Sequence, residues 1–187
     1  MAIQLALTPG QNPLNAVSCI LFCLSLIALY SASGIYHFSR AAANVLVVLR
    51  KLDHAMIYVL IAGTYTPLLL GLLPAPRAEV FTAVIWGVAL AGIVMKLCWI
   101  NAPRWLGTTL YLLLGWAIAI DLPALAALPV PAVALLAAGG LLYTAGGLIY
   151  MIKRPNLSER FGFHEIFHLF VIAGSLCHYF LVLLYIA

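Results

Sequence analysis

The residues best suited to chemistry stand near the C-terminus, where His164, Glu165 and His168 form the sequence HEIFH. Residues four apart on a helix share one face, so both histidines can direct a ring nitrogen at one ion. The sequence matches the H-E-x-x-H pattern of zinc proteases, in which the glutamate acts as a general base. The pattern therefore indicates either a zinc site or, as the alternative, interfacial histidines that are bonded to their neighbours.

Glu165 has two readings of its own. It points about 100° away from the histidine pair around a helix. It also stands in the first turn of that helix, where a carboxylate favours the positive end of the helix dipole. A protease would further need a carboxylate ligand from a distant helix, and Asp53 is the one candidate. We therefore keep the general base and the helix-terminal carboxylate as alternatives.

The composition of the chain is that of a membrane protein. Apolar residues make up 66% of the 187 residues and charged residues 7%. Runs of about 20 apolar residues, enough helix to cross a hydrocarbon core, recur between short polar breaks. We predict an all-α, polytopic helical bundle that forms a single transmembrane domain over residues 14–187, after a short non-spanning segment at residues 1–13. The six predicted spans are Leu14–Phe38, Leu52–Leu73, Val80–Ile100, Trp105–Leu122, Ala132–Ile152 and Phe161–Ile186.

The positive charges predict the orientation of these spans. Lys and Arg lie in or beside the connections after the first, third and fifth spans, whereas the opposite connections contain only Arg77. By the positive-inside rule the first group of connections is cytoplasmic, which places both termini outside. The net charge of +4 follows from this topology, and we expect no binding to nucleic acid.

The ionisable residues of the spans converge at the predicted cytoplasmic ends. His37 lies in the last turn of the first span, Asp53 in the first turn of the second, and the HEIFH histidines in the first two turns of the sixth. Such residues are costly in a membrane and are functional candidates for that reason. A third imidazole from His37 would give zinc three ligands and leave its fourth position open, as in catalytic zinc sites. Asp53 would hold water or orient a ligand, and Ser33 lies at the same depth.

Other residues of the spans are interpreted as architecture. His54 points away from the aspartate that precedes it, and His178 lies about 15 Å deeper than the histidine pair. Neither is expected to bind the ion. The threonines of GTYTP, residues 63–67, should bond back to carbonyls freed by the proline. A small-residue face for close helix packing is predicted at Gly139, Gly140, Gly146 and Gly147.

Three sequence segments together resemble the hemolysin III family, namely Ser33-x-x-x-His37, LDHAMIYVLIAGTYTP from Leu52, and HEIFHLFVIAGSLCHY from His164. These proteins are bacterial relatives of the progestin and adiponectin receptors, within the superfamily that includes alkaline ceramidases. The resemblance covers the chain from about Leu14 onward. It implies a bacterial inner-membrane protein and a bundle of seven helices. Only about thirteen residues precede Leu14 here, too few to span, so the first helix of the family is expected either to be absent or to lie before the start of this chain.

The resemblance also implies a site and a function. It implies zinc near the cytoplasmic surface, bound by His37, His164 and His168, with a water held near Asp53 and Ser33. The leading hypothesis is a zinc-dependent hydrolase that cleaves an amide or ester of a membrane lipid. Asp53 would then act as general base, and Ser33 would donate a hydrogen bond to the oxyanion or to Asp53.

Two alternatives come from other classes of function. The first is a non-enzymatic regulator or sensor of membrane lipid, in which zinc fastens the first and sixth spans together. The second is a cytolytic protein, although no span has the strongly polar stripe that would line a wide pore. Membrane lipid is the expected substrate or ligand, and the sequence does not define an oligomeric state.

Overall fold

The computed structural model describes residues 13–99, 101–121, 125–126, 128–158 and 161–187, and every regular element among them is a helix. Five helices are long and apolar enough to cross a membrane. The predicted all-α, polytopic membrane protein is thereby confirmed, while the segment at residues 1–13 lies outside the described residues except for Pro13. In chain order the elements are α1 (Pro13–Phe38), α2 (Ala43–Leu72), α3 (Arg77–Cys98), α4 (Arg104–Gly115), a 3-10 helix (Ala117–Ile120), α5 (Val130–Ile152) and α6 (Phe163–Tyr185).

The described residues fall into two compact units, one within Met1–Ala102 together with Ile186–Ala187 and the other within Pro103–Tyr185. In the first unit α2 packs against both α1 and α3, and it is the most buried of the long helices. In the second unit α5 packs against both α4 and α6. Each unit is therefore built around one central helix.

The central helix of the first unit contains a proline. Pro67 leaves the carbonyl of Gly63 without its usual helical donor. Thr64 and Thr66 donate their hydroxyls to carbonyl oxygens one turn before them, each at 2.8 Å. The threonines thus bond back to carbonyls of their own helix, as predicted. Neither acceptor is the Gly63 carbonyl that lacks its helical donor. Trp86 Nε1 of α3 donates to Thr66 Oγ1 at 3.1 Å, so this hydroxyl also joins the two helices.

The glycines of α5 serve two interfaces. A Cβ atom on Gly139 or Gly146 would lie 2.5 or 2.9 Å from side-chain atoms of α6. On Gly140 and Gly147 it would lie 3.3 and 3.2 Å from side chains of the α4 segment, residues 104–116. The glycines therefore form two faces and not the single face that was predicted. Gly139 and Gly146 face α6, whereas Gly140 and Gly147 face the α4 segment.

One predicted span begins too late. The second span was expected at Leu52–Leu73, but α2 begins at Ala43, so Arg50 and Lys51 are helical and do not belong to a loop. The reason is that the segment from Ala43 contains neither proline nor glycine to end a helix before Gly63. The first, third, fifth and sixth predictions agree with the helices within three residues at each end.

The fourth predicted span, Trp105–Leu122, is not one continuous helix. α4 ends at Gly115 and a 3-10 helix follows, so the α-helical part is about 18 Å long at 1.5 Å per residue. Glycine has a low helix propensity. The indole of Trp116 donates to Thr144 Oγ1 of α5 at 2.9 Å, which anchors the chain where the helix ends.

Candidate metal centre

The two histidines of HEIFH lie on successive turns at the start of α6, as predicted. The ring centroids of His164 and His168 are 4.6 Å apart and their planes meet at 80°. Both side chains are half-buried. Neutral imidazoles in this arrangement are a suitable pair of nitrogen donors for one transition-metal ion.

The glutamate of the motif caps the helix on which the pair lies. Glu165 Oε2 accepts a hydrogen bond from the Gly162 N–H at 2.9 Å. Since Gly162 directly precedes α6 and Glu165 is its third residue, this is the glutamate half of a capping box. Asn156 Oδ1 accepts from the next backbone donor, Phe163 N–H, at 3.2 Å. Of the two roles left open for Glu165, the geometry shows the helix-terminal one.

Aromatic side chains flank the histidine pair within the second unit. The ring of Tyr150 on α5 lies 6.4 Å from that of His164 and 5.0 Å from that of Phe167. The Arg104 guanidinium lies 5.2 Å from the Tyr150 centroid, within cation–π range. Sequence reasoning missed Tyr150 and Arg104. The sequence did contain a signal for Tyr150. It lies near the end of α5, and the short connection from α5 to α6 brings that end close to the histidine pair.

Ser33, His37 and Asp53 share one depth in the first unit. Gly63 of α2 packs directly on Ser25 of α1, and this contact sets the register of the two helices. At 1.5 Å per residue, Ser33 and His37 lie about 12 and 18 Å from it along α1, and Asp53 lies about 15 Å from it along antiparallel α2. Asp53 is therefore level with the turn between Ser33 and His37.

The positions of these three residues within their helices are partly as predicted. His37 lies in the last turn of α1, with its ring 4.7 Å from that of Tyr36. Asp53 lies in the third turn of α2 and not in the first, because α2 begins nine residues earlier than predicted. Ser33 and Asp53 are half-buried and His37 is exposed.

The remaining two histidines have contacts of another kind. His54 Nδ1 donates to the Arg50 carbonyl oxygen at 2.7 Å, which selects the tautomer with hydrogen on Nδ1. His178 is 7% exposed and packs on Gly139, with its ring 5.3 Å from that of Tyr143. These contacts are structural ones, and the exclusion of both residues from the metal site stays a prediction.

The predicted ligands are divided between the units, with His37 in the first and the other two histidines in the second. Each unit thus contributes a part of the predicted site. The second unit holds a pair of imidazoles in one place, and the first holds a histidine, a carboxylate and a hydroxyl at one depth.

Long apolar helices with ionisable side chains gathered at their ends define a polytopic membrane protein. The chain belongs to the haemolysin III family, because the family model described as haemolysin-III related matches residues 1–179. It is 38% identical to the hemolysin-3 homolog of Bacillus subtilis (strain 168) over 172 residues, 91% of this chain and 78% of the relative. It is 36% identical to hemolysin-3 of Bacillus cereus over 164 residues, 87% of this chain and 72% of the relative. The resemblance seen in the sequence is confirmed.

Proposed function

We propose that the protein binds zinc through His37, His164 and His168 and hydrolyses an amide or ester bond of a membrane lipid. The observation that carries the proposal is the imidazole pair on α6, whose ring centroids are 4.6 Å apart. The depth shared by His37, Ser33 and Asp53 in the first unit supports it, as does the ligand set that the family resemblance implies.

The donor set fits zinc. Imidazole nitrogens suit zinc better than magnesium or calcium, and three protein ligands leave the fourth position that catalytic sites keep open. Bound zinc would polarise the carbonyl of the lipid and make water a nucleophile near neutral pH. The aromatic side chains beside His164 would limit the access of bulk water to the pair, as the apolar shell of metal sites does.

Asp53 and Ser33 would supply the proton transfer and the hydrogen bond that hydrolysis needs. Asp53, a half-buried carboxylate level with the turn between Ser33 and His37, would take a proton from the attacking water and pass it to the leaving group. Ser33, about 3 Å deeper than Asp53 along the helices, would donate its hydroxyl to the oxyanion or to Asp53. Glu165 is left out of this scheme because its carboxylate caps α6.

The site would lie at the cytoplasmic side of a bacterial inner membrane. Apart from Arg77, the basic residues of the chain lie in or beside the connections after the first, third and fifth predicted spans. The positive-inside rule makes this side cytoplasmic and places both termini outside.

The test combines metal analysis with lipid turnover. The purified full chain should contain about one zinc per molecule and release fatty acid from lipid amides or esters. Asp53→Ala should keep the zinc and lose turnover by about 100-fold or more, the upper part of the range for acid–base residues. Glu79→Ala, a carboxylate at the other end of the first unit, is the control and should change neither. A zinc-loaded protein without turnover on any lipid amide or ester would leave zinc as a structural staple and reject the hydrolase.

Cytolysis is a second candidate, because the Bacillus cereus relative is named hemolysin-3. A cytolytic protein should release dye from lipid vesicles, and the leakage should persist in His164→Ala. If leakage is absent at every protein-to-lipid ratio tested, the candidate fails.

A further inference from the structure

Three cations gather where α2 and α3 pack in the first unit. Arg50 and Lys51 lie in the second and third turns of α2, and Lys96 lies in the last turn of α3. Lys51 Nζ donates to the Leu97 carbonyl oxygen at 2.5 Å, and Arg50 Nη2 donates to Asn101 Oδ1 at 3.5 Å. The cations of one helix therefore reach the C-terminal end of the other.

Lys96 is the most buried of the three, with 5% of the residue exposed. The ring of Tyr58 packs directly on Gly92. Lys96 follows Gly92 by one turn on α3, and His54 precedes Tyr58 by one turn on α2. Because the two helices are antiparallel, Lys96 and His54 lie at the same level.

The formal charges of this part of the first unit are mostly positive. Asp53 is the one described carboxylate near the three cations in sequence and depth, because the other described acid of the first unit, Glu79, lies about 26 Å from Lys96 along α3. Arg50 Nε is buried and makes no hydrogen bond to any described part of the chain. A guanidinium with a buried donor left over fits an oxyanion, which it binds through several N–H groups.

Apolar side chains lie beside these cations on the outer surface of the same helices. Val48 is 54% exposed, Leu52 41% and Leu97 39%. A ligand that fits both features carries an oxyanion on an apolar body, which is the chemistry of a phospholipid. Inorganic phosphate satisfies the cations alone.

We propose that Arg50, Lys51 and Lys96 form a basic crevice that binds the phosphate of an anionic phospholipid from the adjoining leaflet. Basic pockets between transmembrane helices bind anionic headgroups in this way. The acyl chains would lie along the exposed apolar side chains of α2 and α3. The crevice belongs to the first unit alone and does not depend on the metal site.

The test measures lipid retention by the full chain in a non-ionic detergent. Phosphatidylglycerol is added at increasing concentration, with phosphatidylcholine of the same acyl chains as reference, and bound lipid is counted by native mass spectrometry. The double variant Arg50→Gln/Lys96→Met should bind phosphatidylglycerol about 25-fold more weakly, or about fivefold for each lost cation. Arg77→Gln removes a cation from the opposite end of α3 and should change binding by less than about twofold.

Two further arms keep the proposal falsifiable. Lys96→Arg keeps the charge and should retain the lipid, and the single variant Arg50→Gln should show the fivefold loss if the double variant does not fold. An equal loss in Arg77→Gln would mean that binding follows net charge and would overturn the basic crevice. Retention of inorganic phosphate as strong as that of the lipid would overturn the lipid as its ligand.

Discussion

The same helix carries histidines in two different settings. At the start of α6, His164 and His168 are half-buried, and their rings stand side by side among aromatic side chains. Ten residues after His168, His178 is 7% exposed and is packed on Gly139 of α5. The difference teaches that a histidine on an apolar helix can be a packing side chain as well as a candidate ligand. A ring needs both a neighbouring donor and room for an ion, and the Gly139 contact fills the space at His178.

The largest expected effect separates the two settings by their metal binding. His164→Ala or His168→Ala should lower zinc affinity by more than about 100-fold, because even partners of metal ligands contribute 10- to 100-fold. His178→Ala should keep the zinc and lower only the thermal stability. Competition with a chelator of known zinc affinity measures both. A loss of zinc in His178→Ala with an unchanged melting temperature would break the comparison.

The next effect concerns the close approach at Gly139. Gly139→Ala places a Cβ 2.5 Å from His178 Nε2, and such overpacking costs about 1–3 kcal/mol. Gly87→Ala is the matched control, because its Cβ would meet nothing within 4 Å, and it should be neutral or stabilising by up to about 1 kcal/mol. Thermal unfolding in detergent gives both values.

A double-mutant cycle sharpens this second prediction. Because the added methyl group of Gly139→Ala collides with the His178 ring, His178→Ala should relieve much of its cost, and the two substitutions should not be additive. Additive effects would show that the methyl group collides with something else.

A smaller effect is expected from the hydrogen bond beside His178. Tyr143 OH and Ser175 Oγ are 2.8 Å apart and join α5 to α6. Tyr143→Phe keeps the ring and removes the hydrogen bond, so the free energy of unfolding should fall by about 0.6 kcal/mol, the average for such bonds between membrane helices. Zinc content should not change, and a change in it would connect this interface to the metal site.

The smallest effect is expected at Glu165. Glu165→Gln keeps an oxygen that accepts the Gly162 N–H, so the capping box, the zinc content and lipid turnover should all be kept. Glu165→Ala removes the cap and should lower the melting temperature slightly. Loss of turnover in Glu165→Gln at full zinc content would restore the general base of the zinc-protease pattern.

Much of the fold was predictable because the lengths of apolar runs are a local property. Five long helices stand close to the predicted spans, and the errors occur where local signals are weak. Arg50 and Lys51 interrupt the apolar run before Leu52, so the first turns of α2 were predicted as a loop. Likewise, the sequence of Trp105–Leu122 does not show that α4 ends at Gly115 or that the next residue, Trp116, donates to Thr144 of α5.

For the site, the sequence by itself determined the pair His164 and His168, because four residues bring side chains to one face of any helix. It also determined that His37 lies in the last turn of its helix. Only the tertiary structure decided that Asp53 is level with the turn between Ser33 and His37, since that depends on the register of α1 against α2. It alone decided that His178 is enclosed, because that contact joins α5 to α6, whose meeting no local pattern specifies. The structure also decided between the two roles of Glu165, since the sequence allowed both.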